Sequence, residues 1–380
     1  MAAKTATASA GRRVREGCAV AFGSTTVSLD ADDGAALQWL LESIDPWFTP
    51  TARPADWRVI VTSSASAFAD LERRRPTAIA PRVCFAFDTE VVSLPTWESG
   101  GRTVLHDERR SCFFAVGDRT VDLVADPSSR RWRFTLLWIL HEIVATRLRR
   151  THLDLHSAAV ATCGRALLIV GPKGAGKTTS SFHLLRSGRY RWIANDRAFV
   201  TANGGGGFAV RGMPTSVKIR PPMETEFPEL SRGIPRVERP YLYSLDELSR
   251  QPGAYEPLGE IELALSPAQV ADRLAAGRLG EAPVGAVLFP QVTGEIEGWR
   301  TERLAETRIA DRLWANLYGG RRSERREPTV FEAVEGAASV SRAVAESLSQ
   351  AVPGYHLLLG RNAYVEPAFS AGLRALLGTP

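Results

Sequence analysis

The sequence predicts an α/β protein with two domains, and three observations support this prediction. The chain has 380 residues, a length that fits two domains better than one. Between residues 18 and 126, short apolar runs alternate with turn signals, as expected for strands of a sheet. From His152 onward, buried strand candidates alternate with helix candidates, which indicates a second α/β unit.

The first domain is predicted to span residues 18–126. Its strands are predicted at Ala19–Phe22, Trp57–Thr62, Val83–Phe87 and Thr120–Val124, and a helix at Ala35–Ile44. Residues 1–17 are polar, small and basic, and we expect them to form a disordered tail.

A helix in residues 127–151 is predicted to link the two domains, starting at Pro127–Ser129 and running to about Arg150. Its apolar positions follow helical spacing, but His141, Glu142 and Arg147 interrupt them. A helix with these charges cannot span a bilayer. With no secretory signal either, we expect no membrane contact and a cytoplasmic protein.

The second domain is predicted to span residues 152–380. Its strands are predicted at Ser157–Thr162, Ala166–Val170, Arg191–Ala194, Phe208–Val210, Ser216–Ile219, Val284–Phe289 and His356–Leu359. Its helices are predicted at Thr178–Ser187, from Ser266 to Gly277, at Glu302–Leu317 and at Ala337–Val352.

The composition argues against a nucleic-acid-binding protein. The net charge is only +5, and the basic residues are 43 arginines against 4 lysines, a bias that we attribute to coding composition. No stripe of basic and aromatic residues is present. The cysteines (Cys18, Cys84, Cys112 and Cys163) lie far apart without metal-ligand spacing, so we expect free thiols in a reducing compartment.

One motif carries clear chemistry. The residues Gly171-Pro172-Lys173-Gly174-Ala175-Gly176-Lys177-Thr178 match G-x-x-x-x-G-K-[ST], with an apolar strand before them and a helix after them. Glycines let the backbone wrap a phosphate at a helix N-terminus. We therefore predict a P-loop that binds ATP and Mg²⁺. The predicted nucleotide-binding residues are Gly171, Lys173, Gly174, Ala175, Gly176, Lys177, Thr178 and Thr179.

The roles within this loop follow from the side chains. Lys177 is predicted to neutralise the β- and γ-phosphate oxygens, and the Thr178 hydroxyl to ligate Mg²⁺. A carboxylate is also needed, and Asp196 returns to the loop after one helix and one strand, so we predict Asp196 as the second metal ligand. Lys173 is either an exposed loop charge or a nucleotide contact. By position alone, a structural role is the simpler interpretation for His156.

Several short segments together resemble the catalytic domain of HPr kinase/phosphorylase, which is related to phosphoenolpyruvate carboxykinases. The segments are Leu155-His156-Ser157-Ala158, the P-loop with its strand, Ile193-Ala194-Asn195-Asp196-Arg197, and Val210-Arg211-Gly212-Met213-Pro214. They cover about 60 residues in the same order and at similar spacing. The resemblance implies a P-loop domain of that fold type and phosphoryl transfer from ATP to a serine or similar hydroxyl.

The resemblance also implies site residues. Lys177 and Thr178 carry over directly, Asp196 carries over onto the second Asp of an acidic pair, and His156 carries over as a functional residue. Arg211 matches a turn arginine that either holds a phosphate or forms a structural salt bridge. Two positions depart from the family. Asn195 replaces the first Asp, and Ala209 stands where the bacterial regulators have a Glu, so we expect a kinase that works only in the forward direction.

These observations predict an ATP-dependent kinase whose acceptor is a hydroxyl of a peptide serine or a small metabolite. The predicted catalytic residues are Lys177, Asp196, His156 and Arg211. Arg197, Arg211 or Arg220 is expected to stabilise the transferring charge, and the sequence does not rank them. The alternative is a P-loop ATPase or nucleotide-binding switch without phosphotransfer; no Asn-Lys-x-Asp motif favours a GTPase. We expect the first domain to recognise the acceptor or to support assembly, including a homo-oligomer.

Overall fold

The protein is a mixed α/β protein, as the sequence predicts. Its structure is a computed structural model. The described residues are 16–77, 79–86, 91–234, 242–243, 263–318, 328–336, 342–365 and 367–378. In this part of the chain, no helix is both long and apolar enough to cross a membrane.

The first sheet is built from the N-terminal third of the chain. Its strands are β1 (Glu16–Phe22), β2 (Thr25–Ala31), β3 (Thr49–Pro50), β4 (Trp57–Ser63), β5 (Ala80–Ala86), β6 (Val91–Ser99), β7 (Arg102–Asp107), β8 (Cys112–Val116) and β9 (Thr120–Ala125). They follow the order β3-β1-β2-β4-β9-β8-β7-β6-β5. The pairs β2–β4 and β4–β9 are parallel, and helices α1 (Gly34–Ile44) and α2 (Ala65–Arg74) follow β2 and β4 in the crossovers that parallel pairs need.

The boundaries of this region differ slightly from the prediction. Strand β1 begins at Glu16, inside the predicted tail, and residues 1–15 lie outside the described residues. Helix α3 (Trp132–Leu148) begins later than predicted, because the Asp126 carboxylate accepts hydrogen bonds from the Ser128 N–H at 2.9 Å and the Ser128 hydroxyl at 2.8 Å. That local turn occupies the residues before the helix.

The second sheet is built after α3. Its strands are β10 (Leu153–Thr162), β11 (Arg165–Val170), β12 (Arg191–Ala194), β13 (Arg197–Ala202), β14 (Phe208–Gly212), β17 (Glu281–Val292), β18 (Trp299–Arg303) and β19 (Gly354–Leu359). They follow the order β11-β10-β13-β14-β17-β19-β18, and β12 pairs with β10. Strand β17 is long, so its first residues pair with β14 while its later residues pair with β11 in parallel. The pairings therefore close into a circuit through β11, β10, β13, β14 and β17.

Both faces of the second sheet are buried. Along β11, Leu167 and Ile169 belong to one apolar cluster, whereas Leu168 and Val170 belong to the cluster on the opposite face. Alternate residues of a strand point to opposite faces, so a continuous apolar run such as Ala166–Val170 is what a sheet covered on both sides requires.

Shorter elements cover and connect this sheet. The helices are α4 (Lys177–Arg186), α5 (Pro221–Glu226), α6 (Pro267–Arg273), α7 (Glu306–Ala315), α8 (Val330–Glu335), α9 (Arg342–Ala351) and α10 (Ala368–Ala375), and β15 (Val217–Lys218) pairs with β16 (Ala264–Leu265).

Two helix predictions for the second domain need correction or restriction. The helix predicted at Glu302–Leu317 is wrong at its start, because Glu302 and Arg303 end strand β18, which pairs with β19. The strand's sequence, Trp299–Arg303, is charged and largely exposed, so it carries no apolar alternation to reveal it. The helix predicted at Ala337–Val352 is seen from Arg342 as α9, and residues 337–341 lie outside the described residues.

The two sheets contact each other through aromatic residues. The Trp47 indole donates a hydrogen bond to the Ile193 carbonyl at 2.5 Å and packs edge-on against Trp192 at 6.5 Å. The core of the first sheet also includes Phe199 and Phe331 from later in the chain. Because these contacts cross between the two regions, they do not mark where one domain ends, and the domain boundaries predicted at residues 126 and 151 stay predictions.

Gly212, at the end of β14, lies so close to neighbouring backbone that no side chain fits there. A Cβ at this position would lie 1.7 Å from the Ile193 carbonyl oxygen and 2.8 Å from the Trp47 indole nitrogen. We predict that Gly212→Ala lowers the free energy of unfolding by at least about 2 kcal/mol, because backbone must move to make room. Gly204→Ala is the matched control, since no atom lies within 4 Å of a Cβ there. Urea denaturation measures both changes, and equal stability of the two variants would contradict this packing.

Candidate P-loop site

The glycine-rich loop joins β11 to α4, as predicted. Gly174 has a φ of +85° and Gly176 a φ of +100°, a left-handed backbone that L side chains rarely adopt. Gly176 is also the residue before α4, and no side chain caps this helix end. The start of α4 therefore lacks a side-chain cap, and with its helix dipole it has a geometry that suits an anion.

Close packing restricts the two outer glycines of the motif. A Cβ at Gly171 would lie 3.2 Å from the Ala175 Cβ, and one at Gly176 would lie 3.0 Å from a methyl group of Leu359. Lys173 and Gly174 are exposed, whereas Thr178 and Thr179 are half-buried at the start of α4. The loop is thus anchored at both ends and open in the middle.

Lys177 is buried inside this loop. Its ammonium donates hydrogen bonds to the Gly171 carbonyl at 2.6 Å and the Pro172 carbonyl at 3.0 Å. The ammonium of Lys177 is therefore held by backbone oxygens of the same loop. A phosphate entering the loop would meet this ammonium directly.

His156 and Asp196 contact each other. The His156 Nε2 lies 3.3 Å from the Asp196 carboxylate, and the His156 side chain is 10% exposed against 41% for Asp196. The contact pairs a buried imidazole with an accessible carboxylate. The Asp196 carboxylate is therefore accessible to a ligand, while its contact with the buried His156 imidazole holds it in position.

The strand register brings this pair near the P-loop. Asp196 accepts a hydrogen bond at its carbonyl from the Ser157 N–H at 3.1 Å, and Ser157 pairs with Val170 at the end of β11. Two strand spacings, about 10 Å in all, therefore separate the backbone of Asp196 from the residue before the loop. The predicted metal ligands Thr178 and Asp196 thus belong to the same end of the sheet.

The residue beside Asp196 is Asn195. Its Oδ1 atom is buried and, among the described residues, has no hydrogen-bond partner. Across that same part of the chain, no cluster of three or more His, Cys, Asp or Glu side chains is arranged to hold a metal by itself. The oxygen donors near the loop are therefore a hydroxyl, a carboxylate and an amide oxygen, the hard ligands that suit Mg²⁺ when phosphates complete its coordination.

A buried ion-pair network fixes the backbone after Asp196. Arg197 donates two hydrogen bonds to Asp154, at 2.9 Å and 2.6 Å, and both side chains are buried. Burial alone would lower the pKa of Arg197, but Asp154 outweighs this, and the pKa lies above its ordinary value. Arg149, from the end of α3, also contacts Asp154 at 3.1 Å and Glu332 at 2.9 Å. Arg197 is therefore a structural residue in this fold.

Arg211 forms a salt bridge on β14, and its predicted catalytic role stays a prediction. Its guanidinium pairs with Glu281, at the first residue of β17, and lies over the Phe22 ring at 5.4 Å. Between the alternatives left open by the sequence, the geometry matches a salt bridge. Arg220 is exposed at the start of α5.

A cavity of about 440 Å³ adjoins the first half of the P-loop. Its lining includes residues that sequence reasoning missed. They are Gln291 on β17, Arg312 and Asn316 at the end of α7, and His356 on β19. No local pattern marks these residues. Gln291 and His356 reach the loop through the pairing of β17 with β11 and β19, and Asn316 is joined to β10 by the hydrogen bond from the His156 N–H.

Comparisons with known proteins give a limited result. A family model described as SynChlorMet cassette protein ScmC matches residues 124–237, less than half of the chain. Among solved structures, the HPr(Ser) kinase/phosphatase from Coxiella burnetii is similar at 8% identity, over 59% of this chain and 93% of that chain, with a TM-score of 0.26. That TM-score is too low to support an argument about fold or function. No curated protein matches the chain.

The Arg197–Asp154 pair leads to a prediction about stability. Asp154→Asn should lower the free energy of unfolding by about 3 kcal/mol or more, because the buried Arg197 and the partly buried Arg149 both lose a carboxylate partner. Asp30→Asn is the matched control, since Asp30 pairs with the exposed Arg58 and should change stability by less than about 1 kcal/mol. Urea denaturation of both variants tests this difference, and equal losses would argue against a structural role for the buried pair.

Proposed function

We propose that the protein is an ATP-dependent kinase that transfers the γ-phosphate to a hydroxyl of a peptide serine or small metabolite. The main support is the combination of two features at one end of the second sheet. A P-loop holds the buried Lys177 at the start of α4, and the His156–Asp196 contact lies across β10 from it. The first feature suits phosphate binding, and the second suits proton removal from an acceptor.

In this proposal the nucleotide phosphates occupy the loop Gly171–Thr178. The left-handed glycines turn backbone N–H groups toward the phosphates, and the uncapped start of α4 adds its dipole. Lys177 exchanges its two carbonyl partners for β- and γ-phosphate oxygens. Lys173 and Thr179 lie at the exposed middle of the loop and in the first turn of α4, where they would contact the nucleotide.

Mg²⁺ fits the oxygen donors near the loop. Thr178 and Asp196 would hold the ion together with the phosphates, and the unpartnered Asn195 amide oxygen is compatible with the same site. When bound, Mg²⁺ screens the negative charge of the transferring phosphoryl group.

Asp196 also has the chemistry to activate the acceptor. Its accessible carboxylate would take the proton of the acceptor hydroxyl as the oxygen bonds to the γ-phosphorus. The bond from that phosphorus to the bridging oxygen breaks, and ADP leaves with the electron pair. His156 holds the carboxylate through the 3.3 Å contact and so sets its orientation. A lone carboxylate beside Asn195 is consistent with transfer in the forward direction only.

The proposal also includes the fold type of the second domain and the division of the chain into domains. We infer a P-loop domain of the HPr kinase/phosphoenolpyruvate carboxykinase type in residues 152–380, preceded by the α/β region in residues 18–126 and the linking helix in residues 127–151. The support is the order of His156, the P-loop and Asp196 along the chain and their proximity across β10. All of these lie inside the single stretch matched by the ScmC family model. Its description names no reaction.

The second candidate is a nucleotide-binding switch without phosphotransfer. Two observations favour it. Asn195 stands where the resemblance implies a carboxylate, and Arg211 pairs with Glu281 in place of a phosphate. A switch needs only the nucleotide site, whereas a kinase also needs an acceptor site next to Asp196.

The two candidates make different predictions for phosphate transfer. With ATP and Mg²⁺, wild-type protein should add one phosphoryl group to a member of a peptide and metabolite panel, detected by mass spectrometry. Lys177→Ala should lower that rate by about 10²-fold or more, because the phosphate charge loses its cation. Lys218→Ala is the matched control, since this exposed lysine lies outside the loop and its loss should change the rate by less than about twofold.

The outcomes separate the alternatives. Release of ADP and free phosphate without any labelled acceptor, lost again in Lys177→Ala, would support the switch. An unchanged transfer rate in Lys177→Ala would contradict the P-loop assignment itself.

A further inference from the structure

The cavity beside the P-loop has a cationic wall that the proposed mechanism does not use. One side of this cavity is the first half of the loop, Gly171–Ala175. The lining also includes Arg312 from α7, His356 from β19 and the end of β17. An arginine that lines the same cavity as a phosphate-binding loop can contact a phosphate bound there.

Arg312 is partly buried and lacks a compensating charge in the described residues. Its guanidinium carbon lies 5.5 Å from the centre of the Phe289 ring, and among the described residues no carboxylate forms an ion pair with it. Burial, with a further contribution from Arg308, lowers the pKa of Arg312, and the group stays cationic at neutral pH. A desolvated cation of this kind gains more from an anionic ligand than one exposed to water.

The other titratable side chain of this wall, His356, does not provide a negative charge that would neutralise Arg312. His356 Nε2 lies 2.9 Å from the Gln291 side-chain oxygen. Burial and the positive charge of Arg312 lower the pKa of His356, although Glu302 on the neighbouring strand acts in the opposite direction. The lowered pKa of His356 favours its neutral form, so Arg312 is the permanent cation contributed to the cavity by α7.

The end of α7 is tied to the strand that carries His156. The Asn316 carbonyl accepts a hydrogen bond from the His156 N–H at 2.9 Å, and the Tyr318 N–H donates to the Asp154 carbonyl at 2.7 Å. The Asn316 side chain in turn donates to the Arg312 carbonyl at 2.7 Å. Arg312, one turn before Asn316, therefore belongs to the same frame as His156 and Asp196.

The arginines expected from the sequence do not fill this role. Arg197 is held in the buried pair with Asp154, Arg211 pairs with Glu281 at the other end of β17, and Arg220 is exposed at α5. Arg312 lines the P-loop cavity itself.

We propose that Arg312 is a further catalytic residue, which contacts the γ-phosphate oxygens and stabilises the charge that develops on them during transfer. The proposal rests on the proposed kinase function and adds a residue to it. Because ADP lacks a γ-phosphate, Arg312 should discriminate between ADP and ATP, whereas Lys177 should contribute to both.

The test compares the binding of two nucleotides. Calorimetry with Mg²⁺ would measure the Kd of ADP and of the β,γ-imido analogue of ATP for the full-length wild type and for Arg312→Met, which keeps the apolar stem without the charge. We expect the analogue to bind about tenfold or more weakly to Arg312→Met, and ADP to change by less than about twofold. Phosphoryl transfer should fall by about 10³-fold.

Two further variants serve as controls. Arg308→Met removes the same charge one turn earlier, from an exposed side chain, and should change both Kd values by less than about twofold. Arg312→Lys should recover part of the analogue affinity, because the charge returns without the planar fork. Circular dichroism establishes that each variant is folded, and Arg312→Gln replaces Arg312→Met if that protein does not fold.

The outcomes distinguish this proposal from the function on which it rests. Suppose that wild type binds both nucleotides, and that Arg312→Met either weakens the binding of both equally or leaves both unchanged. The γ-phosphate contact is then wrong, while nucleotide binding stands. An Arg308→Met variant with the same selective loss would also overturn the contact, because the effect would then be one of general charge. If wild type binds neither nucleotide, the proposed function fails, and the role of Arg312 fails with it.

Discussion

The buried pair between Arg197 and Asp154 is the interaction on which the candidate site depends. Asp154 lies two residues before His156 on β10, and Arg197 directly follows Asp196. Their two hydrogen bonds join the strands that carry the imidazole and the carboxylate. A buried ion pair contributes little net stability over an apolar pair, because both charges lose water. In this protein its main effect is therefore on position, since a change in the register of β10 and β13 would separate His156 from Asp196.

The same pair extends into the rest of the molecule. Arg149 brings the end of α3 to Asp154, and Glu332 brings α8 to Arg149. The Tyr318 ring lies 4.3 Å from the Arg197 guanidinium, and the Tyr318 N–H bonds to the Asp154 carbonyl. The helix that follows the first sheet and the segment after α7 thus meet at one buried cluster. The segments that carry His156, Asp196 and Arg312 are therefore joined at this common cluster.

Some of the fold and the site could be predicted from sequence, for physical reasons. The P-loop depends on local requirements, namely glycines with left-handed φ between a buried strand and a helix, and these are visible in the residues. Helix α3 and strands β10 and β11 were predicted because they are apolar over many residues. Strand β18 was missed because its exposed residues carry no apolar pattern. His356 was missed because it reaches the loop only through the pairing of β17 with β19, and Arg312 because only the packing of α7 beside β10 brings it there.

Amide hydrogen exchange tests the central claim most directly, since it reports on the backbone N–H groups that a P-loop uses. The account predicts that ATP with Mg²⁺ slows exchange in peptides covering residues 171–179, and that adenosine, which lacks phosphates, does not. The slowing should also decrease in the absence of Mg²⁺. Protection by ATP in other segments, with residues 171–179 unchanged, would contradict the account.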